Sequence, residues 1–269
     1  MACGAGGEAA QSRLPTTTST TGTTSTSTTS TSTTLGPLWD VGAVPLPRRP
    51  DGFGEIQPTP EALVDRALPT IDVLAPPATS GFESTISPID DAIRARMGST
   101  WQEGCPVGLD ELRYLTVSFV GFDGEAHTGE LVVGAAEAPG VVSVFERLFE
   151  AGFPIEEMRL ITGADLAAEP TGDGNNTAAF VCRPVRGGSR FSAHAHGLAI
   201  DINPFHNPYR RDDLVLPELA SSYLDRDNRR PGMIHDGDVV VAAFESIGWR
   251  WGGRWRGTVD PMHFSATGG

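Results

Sequence analysis

The chain has 269 residues and is acidic, with 34 Asp and Glu residues against 20 Lys and Arg residues and a net charge of −14. Such a chain is repelled by nucleic acid and by anionic lipid, and no long Lys/Arg run compensates, so we expect no nucleic-acid partner. No apolar run approaches the length of a membrane-spanning helix.

Much of the first 80 residues is low in complexity or rich in Pro and Gly. From Thr16 to Thr34 every residue is Thr or Ser except Gly22, and a Pro/Gly-rich stretch follows. Such a sequence cannot offset the entropy that is lost on ordering. We therefore predict a disordered N-terminal segment over residues 1–80 and one folded domain over residues 81–269.

The start of the chain, Met1-Ala2-Cys3-Gly4, resembles the end of a bacterial lipoprotein signal, in which a small residue precedes a lipidated Cys. Two interpretations stay open: Cys3 carries a lipid anchor, or it is an incidental Cys in a disordered tail. The anchor would be the protein's link to a membrane. Together with the Thr/Ser tract, this start favours an extracytoplasmic protein, in the cell envelope or secreted.

The folded region is predicted to mix helices and strands without a regular βαβ rhythm. This pattern favours an α+β fold, with a small, mainly antiparallel sheet and flanking helices. In chain order we predict a helix over 84–97, strands over 112–120 and 128–133, a helix over 141–151, a strand over 155–162, a polar loop over 163–177, strands over 178–185 and 198–203, a helix over 238–247 and a last strand over 263–265.

Two cysteines, Cys105 and Cys182, fall inside the folded region. In an exported protein an even pair is a candidate disulfide, whereas in a cytosolic protein both would be buried thiols. The expected export favours pairing. Neither is a candidate metal ligand, because no second Cys or His follows at a short spacing.

The segment from Ser192 to Asp201 contains the first candidate metal ligands, His194 and Asp201. If residues 198–203 form a strand, Ile200 and the other apolar side chains face the core, and Asp201 points to the opposite side. Gly197 allows the chain to bend, so that His194 folds back beside Asp201.

The second cluster is Asp260-Pro261-Met262-His263. Asp at the first position and Pro at the second favour a β-turn, which brings Asp260 and His263 close together. His263 would then be a third metal ligand, and Asp260 would contact the attacking water. Two histidines, one carboxylate, an open position and a base are what a zinc hydrolase needs.

The pattern S-x-H-x-x-G-x-A-x-D followed by D-x-x-H resembles the M15 zinc peptidases, and most closely their D-alanyl-D-alanine carboxypeptidase branch. The resemblance covers roughly residues 104–265 and includes the D-I-N-P run from Asp201 and the W-R-W-G-G run from Trp249. It implies the M15 (hedgehog/D-Ala-D-Ala peptidase-like) architecture. It also implies that His194, Asp201 and His263 bind Zn²⁺ and that Asp260 is the general base.

Two further roles follow from the resemblance, each beside a structural alternative. Arg183 would stabilise the oxyanion, or it forms a surface ion pair. Ser192 would orient the substrate or the histidine loop, or it is a local turn hydroxyl. The sequence also predicts that His196 lies near the cleft mouth, and it favours surface positions for His127, His206 and His235. It leaves open whether Trp249, Trp251 and Trp255 line a substrate wall or pack in the core.

The function expected from this resemblance is hydrolysis of D-alanine-containing peptidoglycan stem peptides by a monomeric zinc D,D-carboxypeptidase. Two alternatives stay open. The same zinc site could serve an endopeptidase that cuts within the stem or the cross-link. The domain could instead be a non-catalytic binding module stabilised by zinc, although a structural site has no need of the base Asp260.

Overall fold

The structure, a computed structural model, describes residues 39–185 and 188–268. Short helices and strands follow one another along the chain. In chain order they are α1 (Glu61–Val64), β1 (Ser84–Ser87), α2 (Asp91–Met97), β2 (Leu112–Val120), β3 (Ala126–Gly134), α3 (Ala138–Glu150), β4 (Glu157–Met158), α4 (Gly163–Ala167), β5 (Asn176–Thr177), β6 (Ala199–Asp201), β7 (Tyr209–Arg211), β8 (Leu214–Leu216), α5 (Val239–Ser246), β9 (Arg250–Trp251), β10 (Thr258–Val259) and β11 (His263–Ser265).

A long β-hairpin forms the centre of the core. Strands β2 and β3 pair antiparallel over their full length, and β1 pairs antiparallel with the other edge of β2. Helix α3 packs on this sheet through side chains that recur at helical spacing and are fully buried, among them Val141, Val144 and Leu148. The backbone N–H of Gly134, at the end of β3, donates to the carbonyl of Gly197 and so joins this hairpin to the segment that contains the first candidate ligands.

A second three-stranded sheet, in the order β6-β11-β9, contains two of the candidate ligands, Asp201 and His263. Both pairs are antiparallel, and Phe264 lies opposite Ile200 in β6 and opposite Trp251 in β9. Phe264 also stacks on Phe244 of α5, with 4.1 Å between ring centroids. The apolar face of this sheet is therefore anchored in the core.

The prediction of a mixed fold with small, mainly antiparallel sheets is confirmed. The M15 architecture stays a prediction. The residues described include no helix that is long and apolar enough to cross a lipid bilayer.

Several predicted elements differ from the structure. Residues 84–97 are not one helix: Ser84–Ser87 form strand β1, and the helix begins only after Asp90, whose side chain caps it by accepting from the backbone N–H of Ile93. Residues 155–162 and 178–185 form little regular strand. The side chain of Asn176 bonds both backbone groups of Arg159, and the backbone of residues 178–185 pairs with scattered segments such as Thr100 and Arg190. The polar loop over 163–177 contains α4 and β5.

The predicted boundary at residue 80 is wrong for residues 39–80, which pack against the remainder of the chain. Leu63 is fully buried and clusters with Phe205 and Tyr223. The side chain of Arg66, also buried, forms an ion pair with Glu156. A few well-placed apolar and charged side chains thus anchor a segment whose average composition suggested disorder. The predictions for residues 1–38, including Cys3 and the Thr/Ser tract, lie outside the described residues.

Cys105 and Cys182 are joined by a disulfide bond with 5.8 Å between their Cα atoms. This is the pairing that the expected export favoured. The bond connects the loop before β2 to the segment that contains Arg183, and so it ties one side of the candidate site to the body of the domain.

Candidate metal and catalytic site

Two neighbouring strands bring Asp201 and His263 together. Asp201 ends β6 and His263 begins β11, and the two residues lie directly opposite each other in the antiparallel ladder. Their side chains therefore emerge on the same side of the sheet. His263 Nδ1 lies 2.9 Å from Asp201 Oδ1.

A single turn of 3₁₀-helix, Ala193–His196, presents His194 to the same point. The Ser192 hydroxyl begins this turn by accepting from the backbone N–H of His194, and Gly197 ends it with φ 67°. A Cβ atom at position 197 would lie 2.5 Å from the backbone nitrogen of Gly134 in the hairpin. Glycine is thus required for the bend, as the sequence predicted, and also for the close approach to the hairpin, which the sequence did not predict.

The side chains of His194, Asp201 and His263 each offer one ligand atom, and these atoms lie within 4.8 Å of one another. His194 Nε2 is 3.3 Å from His263 Nδ1 and 3.3 Å from Asp201 Oδ2. Both histidines are buried. The three side chains could therefore hold a metal ion.

The backbone carbonyl of Ala179 fixes the orientation of the His194 ring. His194 Nδ1 lies 2.6 Å from this oxygen and donates to it. The proton is thereby placed on Nδ1, which leaves the lone pair of Nε2 directed at Asp201 and His263. Nothing in the sequence pattern pointed to Ala179, because its contribution is made by the backbone.

The predicted turn places Asp260 beside the ligand cluster. The backbone N–H of His263 donates to the carbonyl of Asp260 at 3.2 Å, which closes that turn. Asp260 Oδ1 is buried and has no hydrogen-bond partner among the residues that the structure describes. A buried polar atom of this kind is expected to meet a group that the protein does not itself supply. Its presence beside the ligand atoms fits a metal site with a reacting water.

The two carboxyl groups of the site have opposite proton affinities. Burial raises the pKa of Asp201, but His194 and His263 outweigh it and hold that pKa well below its usual range. Burial raises the pKa of Asp260 well above its usual range, and the charge of Asp201 raises it further, while Arg183 opposes both. The pKa of Asp201 is therefore lowered and that of Asp260 is raised, so Asp260 is the carboxyl group of the pair that binds a proton more readily.

Arg183 lies close enough to interact with both carboxylates. Burial lowers its pKa, whereas the charges of Asp201 and Asp260 raise it. Its guanidinium donates to the carbonyl of Pro184 at 3.3 Å, and no ion pair joins it to an acidic residue in the described part of the chain. This position differs from the surface ion pair that was its structural alternative.

Two of the three histidines expected at the surface are buried, so that expectation is wrong for them. His127 lies between Asp72 and Asp123, which satisfy its two ring nitrogens. His206 is fully buried, and burial lowers its pKa to about 3. His235 is partly buried.

Neither His196 nor His206 provides a fourth ligand. Within residues 39–185 and 188–268 the ligand cluster consists of two histidines and one aspartate. A closed four-ligand site, which would suit a structural metal, is not formed by these residues.

Of the three tryptophans near the C-terminus, two pack in the core and one lies beside the candidate site. Trp249 and Trp251 belong to the main core cluster. Trp255 is only partly buried, and its ring lies 5.3 Å from that of His263, centroid to centroid. Only Trp255 therefore remains a candidate for a substrate wall.

Comparison with protein families gives a match over residues 186–266 to the family described as D-alanyl-D-alanine carboxypeptidase, of peptidase family M15. The match includes His194, Asp201, Asp260 and His263, and Arg183 lies just before it. It confirms the resemblance to the M15 peptidases for this segment. No curated protein and no solved structure matches the chain.

Proposed function

We propose that this protein, whose site lies within a segment of the M15 peptidase family, is a zinc-dependent peptidase that removes D-alanine from the stem peptides of peptidoglycan. The observation that carries the proposal is the position of Asp260. Its buried Oδ1 atom has no partner among the described residues and belongs to the turn that holds the ligand His263. A structural metal site has no use for such a carboxylate.

The ligand set supports zinc as the metal. Two imidazole nitrogens and one carboxylate oxygen suit Zn²⁺, whereas Ca²⁺ and Mg²⁺ prefer oxygen ligands alone. His194, Asp201 and His263 would hold the ion, and Ala179 supports the first of them through the hydrogen bond to Nδ1. When bound, Zn²⁺ supplies a Lewis acid that makes a water molecule nucleophilic near neutral pH.

Asp260 would act as the general base and then as the general acid. It accepts a proton from the attacking water and delivers it to the amine that leaves. A carboxyl group whose pKa is raised by burial and by the charge of Asp201 is suited to both transfers near neutral pH.

Arg183 would place a fixed positive charge near the carbonyl oxygen, where negative charge develops in the transition state. Its position close to both carboxylates supports this role. Ser192 is proposed to act mainly through the loop: its hydroxyl accepts from the backbone N–H of His194 and so supports a ligand. Direct contact of Ser192 with the substrate stays a prediction.

The proposed substrate requires a location outside the cytoplasm. The Cys105–Cys182 disulfide supports this, because such bonds persist in oxidising compartments. In the proposed arrangement the Thr/Ser tract is a tether, and Cys3 is the candidate lipid anchor.

The test combines metal analysis with product analysis on a stem pentapeptide ending in D-Ala-D-Ala. We expect about one zinc per chain and release of free D-Ala, detected by mass spectrometry. Larger peptide fragments from cross-linked muropeptides would instead indicate an endopeptidase. Zinc binding without any product would indicate the non-catalytic module and would contradict the proposal.

The variant Asp260→Asn separates the base from the ligands. We expect its kcat to fall by about 10²–10⁴-fold while zinc content is unchanged. His263→Ala should lose both zinc and activity. The exposed Asp227 provides a matched control, and Asp227→Asn should behave as the wild type. Loss of zinc from Asp260→Asn would show that Asp260 is a ligand and not the base.

A further inference from the structure

The indole N–H groups of the tryptophans distinguish Trp255 from the others. The chain has five tryptophans, and those at 39, 101, 249 and 251 donate their indole N–H to Asp173, to the Val107 carbonyl, to Glu137 and to the Pro261 carbonyl. Trp255 has no such acceptor among the described residues, and its indole nitrogen is not among the buried unpaired atoms. The nitrogen is therefore open to solvent.

Trp255 is held near the site by a backbone carbonyl that also binds Asp260. The carbonyl of Gly252 accepts from the backbone N–H of Trp255 and from that of Asp260, each at 3.1 Å. A Cβ atom at position 252 would lie 2.7 Å from the Asp260 carbonyl oxygen and 3.3 Å from Cβ of His263. The loop that carries Trp255 and the turn that carries the base therefore pack directly on each other.

The Trp255 ring also contacts a candidate metal ligand. It lies 5.3 Å from the His263 ring at an interplanar angle of 51°. Of the two cations that flank it in the loop, Arg254 is already paired with Asp236 and Glu245, and Arg256 is exposed to solvent. Trp255 thus offers a free neutral hydrogen-bond donor beside the ligands.

We propose that Trp255 is a substrate-binding residue, which donates its indole N–H to a carbonyl oxygen of the peptide and packs its ring against a small apolar side chain such as that of alanine. A partly buried Trp with an apolar face and a free polar edge is well suited to such a contact. The inference rests on the proposed function and specifies how the same site recognises a peptide.

Two substitutions separate the donor from the ring. Trp255→Phe keeps an aromatic ring and removes the N–H, whereas Trp255→Ala removes both. Each is combined with Asp260→Asn, loaded with zinc, so that binding of the intact pentapeptide is measured by calorimetry without turnover. Trp39→Phe is the matched control, because Trp39 is also partly buried but donates to Asp173.

We expect Trp255→Phe to weaken peptide binding by about 3- to 10-fold, because one hydrogen bond contributes an effect of that size. Trp255→Ala should weaken it by about 30-fold or more, because the ring contact is lost as well. In the active protein KM should rise by similar factors, with kcat changed less than about threefold. Zinc affinity should be unchanged in both variants, and Trp39→Phe should bind the peptide normally.

Peptide binding by Trp255→Phe as tight as by its parent would overturn the donor role. A fall in zinc affinity in Trp255→Ala, with peptide binding preserved, would make Trp255 a support for His263 and would also overturn the proposal. If the wild type releases no D-Ala and the Asp260→Asn protein binds no peptide, the proposed function itself has failed. The two failures are therefore distinguishable.

Discussion

The buried ion pair between Arg66 and Glu156 predicts that residues 39–80 contribute substantially to the stability of the folded domain. The Arg66 side chain is fully buried and that of Glu156 is 7% exposed. Arg66 donates from two nitrogens to the two carboxylate oxygens, at 2.7 and 2.5 Å, and a third nitrogen donates to the Asp173 carbonyl at 2.7 Å. The substitution Glu156→Gln leaves this guanidinium buried without its counter-charge.

The expected cost follows from that burial. Removal of one partner of a buried ion pair lowers the free energy of unfolding by about 3–5 kcal/mol. A domain is stable by only about 5–15 kcal/mol, so the loss is a large fraction of the total. At about 2–4 °C per kcal/mol, Tm should fall by about 6–20 °C.

An exposed ion pair between the same parts of the chain provides the control. Arg48 and Glu169 are 50% and 58% exposed, and such pairs contribute about 0–1 kcal/mol. Urea unfolding of Glu156→Gln and Glu169→Gln, followed by tryptophan fluorescence, should therefore give clearly different losses. The double variant Arg66→Met/Glu156→Gln should recover part of the loss, because no charge remains buried. A loss for Glu156→Gln no larger than that for Glu169→Gln would refute the reasoning.

Two further predictions concern His127 and Gly252. Burial lowers the pKa of His127, but its hydrogen bonds to Asp72 and Asp123 outweigh burial and raise the pKa above its usual value of about 6.5. The stabilising effect of protonated His127 is thus complete below about pH 6.5 and is lost as pH rises through the folded-state pKa. In urea unfolding, His127→Gln should therefore lower the free energy of unfolding by up to about 1 kcal/mol more at pH 5.5 than at pH 8.5. An equal loss at the two pH values would contradict this. Gly252→Ala should displace the Asp260 turn and lower kcat/KM by about 10- to 100-fold. The control Gly174→Ala, where a Cβ meets nothing within 4 Å, should leave kcat/KM unchanged. A wild-type kcat/KM in Gly252→Ala would show that the close approach of Gly252 to the turn is unnecessary.

The elements that the sequence predicted well are those with a local signal. Strand β2 was predicted over 112–120 and has those bounds, because its β-branched and aromatic residues are bounded by turn residues. The turn from Asp260 to His263 and the bend at Gly197 were also predictable, since each depends on the conformational preference of one or two residues. These local features include most of the candidate metal site.

The features that the sequence missed depend on contacts between distant parts of the chain. Glu156 follows Arg66 by 90 positions, and neither residue lies in a pattern that identifies the other. The support of His194 by Ala179 is a backbone contact and has no side-chain signature. The alternation of Trp249, Trp251 and Trp255 suggested one shared role, yet the chain leaves β9 after Trp251. Of the three, Trp255 is the one whose ring packs against the candidate ligand His263.

The two aspartates of the site show why residue type alone does not determine a chemical role. Asp201 lies between His194 and His263, and their interactions lower its pKa although burial raises it. Oδ1 of Asp260 is also buried, but the strongest charged neighbour of Asp260 is Asp201 itself, so the pKa of Asp260 rises. A cation held by the three ligand atoms would offset the charge of Asp201 and so make Asp260 a weaker base. The ligand set and the base are therefore coupled through Asp201, and a substitution that alters this residue should change both metal binding and the pH dependence of hydrolysis.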